Sequence, residues 1–307
     1  MSAVKRLYGG ARRRLIDLVN RMGWIVARTS DFYSPLRPVG ELRERVGRWH
    51  RPSALRGVRY DLDAIERTLG ELCAKFGAEF AALPSYDEIK RRNHGRGFTR
   101  VDAQVLYMML RHIRPQRYLE VGSGMSTYYA SLAAQRNAAE GRPMAITAVD
   151  PFASDVVRGL AGVEVRKQEA QDLPVEFYAG LEDGDVLFID STHIVKVDGE
   201  VPYLVLEVLP ALRSGLWVHI HDVHFPYNVP IDPASYIFNR RWPLLFTEAM
   251  LVQAYLAWNP KVEIVLSTPL LRHFREDALR RLFPDYAPLD GEAFDTHHGS
   301  LWLRWLG

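Results

Sequence analysis

The sequence predicts an α/β fold: a Rossmann-like seven-stranded, mostly parallel sheet with an antiparallel last strand, preceded by an α-helical amino-terminal extension. Two observations predict it. From residue 99 onward, short β-branched or apolar runs at 117–121, 144–149, 162–167, 185–190, 215–221 and 262–267 alternate with helical stretches. Such alternation builds a parallel sheet covered on both faces. A polar or acidic residue also follows directly on five of these runs, at the strand ends where ligand-binding residues of such sheets collect.

Residues 1 to about 30 are locally basic. Lys5, Arg6, Arg12, Arg13, Arg14, Arg21 and Arg28 stand against the single acid Asp17, and Leu7, Leu15, Ile16, Leu18, Val19, Met22, Ile25 and Val26 recur at near-helical spacing. A helix of this kind either packs on the body with a solvated basic face, the commoner case, or lies on an anionic membrane or a protein partner. Asp31 to Pro38 is extended and proline-punctuated. Leu62, Ile65, Leu69, Leu72 and Phe76 carry helical periodicity over 61–76, and His94-Gly95-Arg96-Gly97 forms a turn. Residues 1–98 therefore read as a helical or irregular extension, a lid or interaction segment, and residues 99–307 as the main domain. Within that domain 100–113, 126–139 and 201–212 are the clearest helices, and Ser300 to Trp305 is the terminal strand.

Composition narrows the function classes. Hydrophobic content of 48% and charged content of 25% are ordinary for a globular protein. A net charge of +2 supplies no general pull toward nucleic acid, so none is expected as a partner. Cys73 is the only cysteine, which rules out an internal disulfide and fits a reducing, cytoplasmic setting. No apolar run approaches the roughly 18 residues of a membrane span, and no cleavable secretory signal is visible. The oligomeric state stays open, a homo-oligomer included.

The strand ends carry the chemistry. The first is Tyr118-Leu119-Glu120-Val121-Gly122-Ser123-Gly124-Met125-Ser126-Thr127, an apolar strand running into a G-x-G turn and a helix. Glycines there let backbone pass close to a ligand, and the helix start offers unpaired N–H groups. Thr127 stands where a dinucleotide fingerprint needs its third glycine, and no Gly-Lys-Ser/Thr follows. An acid at Glu120 suits a hydroxyl or a positive charge better than a bare phosphate. The second end is Asp150-Pro151: Asp150 either accepts both ribose hydroxyls of a nucleoside or caps the turn after Pro151. The third is Lys167 to Asp172. The fourth and fifth bring Asp190, His193, His221, Asp222 and His224 to neighbouring tips. Carboxylates suit Mg²⁺ or Ca²⁺, imidazoles suit Zn²⁺ or Fe²⁺, and a histidine there can also act as a general base.

These residues resemble class I S-adenosylmethionine-dependent methyltransferases, over about residues 95 to 305, through the patterns LEVGSG-S, DVLFIDS-H, HDV and GS-WLR. The resemblance extends to the catechol-type and macrolide-sugar O-methyltransferases. It implies S-adenosyl-L-methionine as cofactor, held by Glu120, Gly122, Ser123, Gly124, Thr127, Asp150, Pro151, Gln171 and Asp190, with Gln171 near the adenine. It implies a cation such as Mg²⁺ at Asp190, His221 and Asp222, and catalytic roles for Asp190, His193 and His221. His193 falls where the catechol-type enzymes carry a catalytic lysine, and His221 where they carry an acid, so a metal-free route with a histidine base stays open. The implied reaction is methylation of a hydroxyl on a small molecule, a sugar or secondary metabolite. Tyr227, Tyr236, Arg240, Arg241, Trp242 and Glu248, or the segment around Phe32-Tyr33, would select it. The alternatives are an N- or O-methyltransferase without a metal, a non-catalytic S-adenosylmethionine-binding regulator and, more remotely, a nicotinamide oxidoreductase.

Overall fold

The computed structural model describes residues 14–24, 32–92, 94–95, 97–284, 286 and 297–307. The chain forms two compact units, 1–49 and 50–307. In the first, residues 14–21 are helical, and short helices span Val39–Glu44 and Val46–Trp49. The indole N–H of Trp49 donates to the Leu42 carbonyl at 2.8 Å. The remaining basic positions expected before residue 14 and near residue 28 lie outside the described residues. The expected boundary at 98/99 falls inside the second unit.

The second unit is built on seven strands: β1 Arg117–Val121, β2 Ala145–Val149, β3 Val163–Arg166, β4 Val186–Ile189, β5 Trp217–Ile220, β6 Val262–Ser267 and β7 Leu301–Trp305. Their order is β3-β2-β1-β4-β5-β7-β6. β7 runs antiparallel to both neighbours, β5 and β6, and the β1–β5 pairs are parallel. This is the expected sheet, with the last strand inserted before the edge. Buried β4 (Val186, Leu187, Phe188, Ile189) reads as an unbroken apolar run because helices cover both sheet faces.

Four helices precede or follow the first strand and frame the site. α1 (Leu62–Ala81) is capped by Asp61, which accepts from the N–H groups of Asp63 and Ala64. It buries Ile65, Leu69, Leu72 and Phe76, the stripe its periodicity marks. α2 (Tyr86–Arg91) is capped by Ser85, and α3 (Arg100–Ile113) by Thr99. α3 stops at Arg114, whose φ of 54° takes the left-handed conformation that ends helices. α4 (Met125–Ala139) follows the glycine turn. Farther on, α5 covers 200–211 with a π turn at Leu204–Val208, and α6 is Glu248–Leu256.

Chain order reverses between β1 and β4. Strands 2 and 3 lie on one side and strands 4, 5, 7 and 6 on the other, so a crevice opens at the carboxyl ends of β1 and β4. Backbone hydrogen bonds continue past the strand ends and hold the tips in line. The Gly122 N–H donates to Val149, Asp190 to Val121, and His221 to Ile189, each at 2.9 Å.

Candidate active site

Gly122 is required by the close approach of the Asp190 backbone just past β4. Its φ is 97°, and a Cβ there would sit 2.0 Å from the Asp190 carbonyl oxygen. Gly124 has φ 166°, ordinary extended backbone, so only close approach to the His94 carbonyl, 3.0 Å from an added Cβ, favours glycine. Thr127 is buried under the turn and accepts the Gly124 N–H at 2.9 Å. Glu120 is wholly buried; Ser126 donates to its Oε1, while its Oε2 has no partner. Burial pushes the Glu120 carboxyl up to about 8, against the neighbouring Ser126 and Thr127 hydroxyls, which pull the other way.

Two cavities flank Asp190. The first, about 290 Å³, is lined by Gly122, Ser123, Asp150, Pro151, Gln171 and Asp190, with Glu169 and Lys196 among the others. Six of the expected cofactor residues therefore line one cavity, and Glu120, Gly124 and Thr127 are buried without lining it. Asp150 accepts from Ser123 Oγ at 2.5 Å and from the Phe152 N–H at 2.7 Å, so it closes the local turn. A carboxylate can accept about four hydrogen bonds, which leaves capacity for ligand hydroxyls. Gln171 donates to Glu169 and to the Asp198 carbonyl, and its buried Oε1 has no partner. An unsatisfied acceptor and a part-used carboxylate on one wall fit a nucleoside-bearing ligand.

The second cavity, about 740 Å³, is lined by Tyr86, Phe98, His193, Asp222, Tyr236 and Phe246, together with Lys90, Met125, Arg240 and others. Ser123, Asp190 and Ser191 line both cavities. At this junction Asp190, His193 and Asp222 offer ligand atoms all within 4.8 Å of one another, a set able to hold a metal ion. His193 Nε2 lies 3.2 Å from Asp190 Oδ1 and 3.5 Å from Asp222 Oδ2. Its Nδ1 pairs with Glu248 Oε2 at 2.8 Å. The His193 carbonyl accepts the Thr247 and Glu248 N–H groups at 2.8 and 3.0 Å, so the start of α6 anchors this loop. Both His193 (φ 60°) and Asp222 (φ 54°) sit in the left-handed region, a strain that the surrounding packing has to hold.

His221 takes a different position from the one its resemblance implies. Its ring is buried, with Nε2 3.1 Å from Asp102 Oδ2 and Nδ1 3.3 Å from Asp190 Oδ1. These are ion-pair contacts without the alignment of a straight hydrogen bond. His221 thus backs Asp190 from beneath and does not line either cavity. Asp102 is itself fully buried. Its Oδ1 accepts the Gly299 N–H at 3.1 Å and Ser300 Oγ at 2.6 Å, and its Oδ2 accepts Thr99 Oγ1 at 2.7 Å. His224 is buried 3.7 Å from Asp222 Oδ1, and burial holds it well below its ordinary pKa.

The electrostatics follow from this layout. Burial disfavours charge on His193, but hydrogen bonds to Asp190 and Glu248 and the Asp222 charge outweigh it and raise the pKa to about 10. Burial likewise opposes charge on His221, yet Asp190, Asp102 and Asp222 hold it well above 6.5. Burial would raise Asp190, but His221 and His193 keep it far below the ordinary carboxylate range. For Asp222 burial wins, helped by Asp190 and Asp102 and against the two imidazolium rings, and lifts it to about 6.

Sequence reasoning missed Asp102 and the anchoring role of Glu248. A signal for Asp102 exists: it lies on the face marked by Val105, Leu106 and Met109, where an acid is out of place unless paired. Nothing local in the sequence links Glu248 to His193.

Comparison with known proteins finds one family match and several similar solved structures. Residues 119–223 match the family model of a methyltransferase domain. The matched segment runs from β1 through β5 and carries the strand ends that line both cavities. A search of curated proteins finds no match. Among solved structures, the O-methyltransferase TomG from Streptomyces achromogenes, involved in tomaymycin synthesis and solved with SAM, is 15% identical. It covers 81% of this chain and 92% of its own, with a TM-score of 0.41. An O-methyltransferase from Bacillus cereus in complex with SAH is 16% identical, covers 78% and 91%, and has a TM-score of 0.39. A structure described as cmcI-D160 Mg-SAM is 13% identical, covers 89% and 98%, and has a TM-score of 0.36. Among the described residues no helix is long and apolar enough to cross a membrane.

Proposed function

We propose that this chain methylates a hydroxyl group on a small molecule, a sugar or secondary metabolite, using S-adenosyl-L-methionine. One observation carries the reading: the two cavities share Ser123, Asp190 and Ser191, so a donor in the first and an acceptor in the second meet beside Asp190. S-adenosylmethionine supplies a methyl group on a positively charged sulfur and departs as a neutral thioether. In this reading Asp150 takes the ribose hydroxyls and Gln171 Oε1 accepts from the adenine amino group. The buried Glu120, neutral below about pH 8, presents its unpartnered Oε2 beneath the turn. The protein's remaining tasks are to align the acceptor oxygen and to receive its proton.

Asp190, Asp222 and His193 would hold a divalent cation, two hard oxygen donors and one imidazole. Such a cation would lower the pKa of a hydroxyl bound to it. Glu248 fixes the tautomer and direction of His193, as the outer partner of a ligating histidine does. His221, charged and buried below Asp190, orients that carboxylate.

A second reading needs no metal and rests on the three carboxylates that surround the His193 ring. With three carboxylates around it, the ring keeps its proton at neutral pH and stands as the positive charge in the cluster. Neither His193 nor His221 then has a lone pair for the acceptor proton. Asp222, at about 6 and lining the acceptor cavity, would receive it.

Turnover of a panel of hydroxylated acceptors by wild type and Asp190→Asn, each with Mg²⁺ and with chelator, tests both readings. The expected loss for Asp190→Asn is about 100-fold or more, the scale of misplacing a reacting group. Wild-type activity that survives chelator removes the metal and leaves Asp222 as base. Full activity of Asp190→Asn overturns the site.

A further inference from the structure

We propose that the acceptor is a ring-bearing hydroxy acid, its carboxylate read by Arg240 and Lys90 at the mouth of the second cavity while its hydroxyl meets Asp190 and Asp222. The inference rests on the O-methyltransferase reading and names its substrate class.

The cavity is graded from end to end. His193 and Asp222 are nearly closed off from solvent, with side chains 6% and 11% exposed, whereas Lys90 and Arg240 are exposed. The acidic cluster therefore marks the deep end and the two cations the mouth. Lys90 comes from α2, with its ammonium 6.0 Å from the Tyr86 ring centre. Arg240 follows the π turn Ala234–Phe238 on a different element. Two basic side chains thus reach one cavity from separate parts of the chain. Arg240 makes no ion pair or hydrogen bond among the described residues. An unpaired guanidinium presents a planar fork suited to a carboxylate.

Between the two ends the lining is aromatic: Tyr86, Phe98, Tyr236 and Phe246. These faces are locked. Tyr86 OH donates to the Phe98 carbonyl at 2.7 Å, and the Tyr236 and Phe246 rings meet edge-on with centroids 5.5 Å apart. A flat ring fits among them. Two carboxylates at the deep end would repel an anionic acceptor, and cations at the mouth offset that repulsion and fix which end enters first. In the step itself the hydroxyl oxygen bonds the methyl carbon as the carbon–sulfur bond of the sulfonium breaks, neutral S-adenosylhomocysteine leaves with that electron pair, the hydroxyl proton passes to Asp222 or to solvent, and the acceptor carboxylate is unchanged.

The test uses matched acceptors: 3,4-dihydroxybenzoate against 3,4-dihydroxybenzamide, caffeate against its amide, and glucuronate against glucose. Release of S-adenosylhomocysteine reports turnover, and ligand-observed NMR with the full chain reports binding. The acids should exceed their neutral partners in kcat/KM by about tenfold or more, the scale of a charge-assisted pair. Arg240→Gln should collapse that ratio mainly through KM, Arg240→Lys should restore part of it, and Lys90→Gln should reduce it. Turnover with no preference for the acids, or a ratio indifferent to Arg240→Gln, overturns the inference and leaves O-methyl transfer standing. Arg240-dependent binding of the acids without turnover overturns O-methyl transfer and leaves acid recognition. Neither binding nor turnover by any member overturns both.

Discussion

Glu120→Gln should stabilise the protein, and increasingly so as pH rises from about 5 to about 8. Glu120 is fully buried, takes one hydrogen bond from Ser126 and leaves Oε2 unsatisfied. Its pKa in the folded chain is about 8 against an ordinary 4.5. A folded-state pKa raised in this way means that stability is fully present below 4.5 and is lost as pH rises toward 8. Each pH unit between the two values costs about 1.4 kcal/mol. The loss is thus about 3 kcal/mol at pH 7 and levels off at about 5 kcal/mol above pH 8. Glutamine keeps the shape and an acceptor for Ser126, and it does not ionise. Urea unfolding of wild type and variant at pH 5 and pH 9 measures the difference. The two should nearly coincide at pH 5, with the variant ahead by several kcal/mol at pH 9. A gap that is flat with pH, or that favours wild type at pH 9, refutes the assignment of Glu120 as a buried, desolvated carboxyl.

Two other substitutions probe the supports of the cluster. Asp102→Asn removes the charge that faces His221 at 3.1 Å while keeping size and an acceptor for Gly299 and Ser300. Breaking a buried pair on one side should lower stability by about 3 kcal/mol in thermal unfolding, and His221 should lose its proton at lower pH by NMR. Gly299→Ala would put a Cβ 2.6 Å from Asp222 Cα and 2.7 Å from its nitrogen, both backbone atoms that have no room to give. It should cost about 1–3 kcal/mol in unfolding measurements and cut turnover by about 100-fold through displacement of Asp222.

Much of the fold is legible in the sequence because a parallel sheet buried on both faces writes itself as separate apolar runs. The expected runs at 117–121, 185–190 and 262–267 correspond to β1, β4 and β6 within a residue or two at each end. The chemistry-bearing residues are equally legible, since each follows its strand directly: Asp150, Asp190 and the pair His221-Asp222. The G-x-G turn is visible as a turn, but its reason is not. Gly122 answers to the carbonyl of Asp190, 68 positions later by number, and only the register of β1 on β4 brings them together.

The sequence by itself determined the seven strands, the α/β class of the fold and which acids and histidines stand at the strand ends, because those follow from local periodicity and chain order. Tertiary structure alone decided how those side chains are shared. It turned Glu120 and Thr127 inward beneath the turn and gave His193 to Asp190, Asp222 and Glu248. It set His221 between Asp190 and Asp102, the latter drawn from the helix before the first strand. The reason is physical: a charge's pKa and partner depend on burial and on distances of a few ångströms between segments far apart in the chain, which no local pattern encodes.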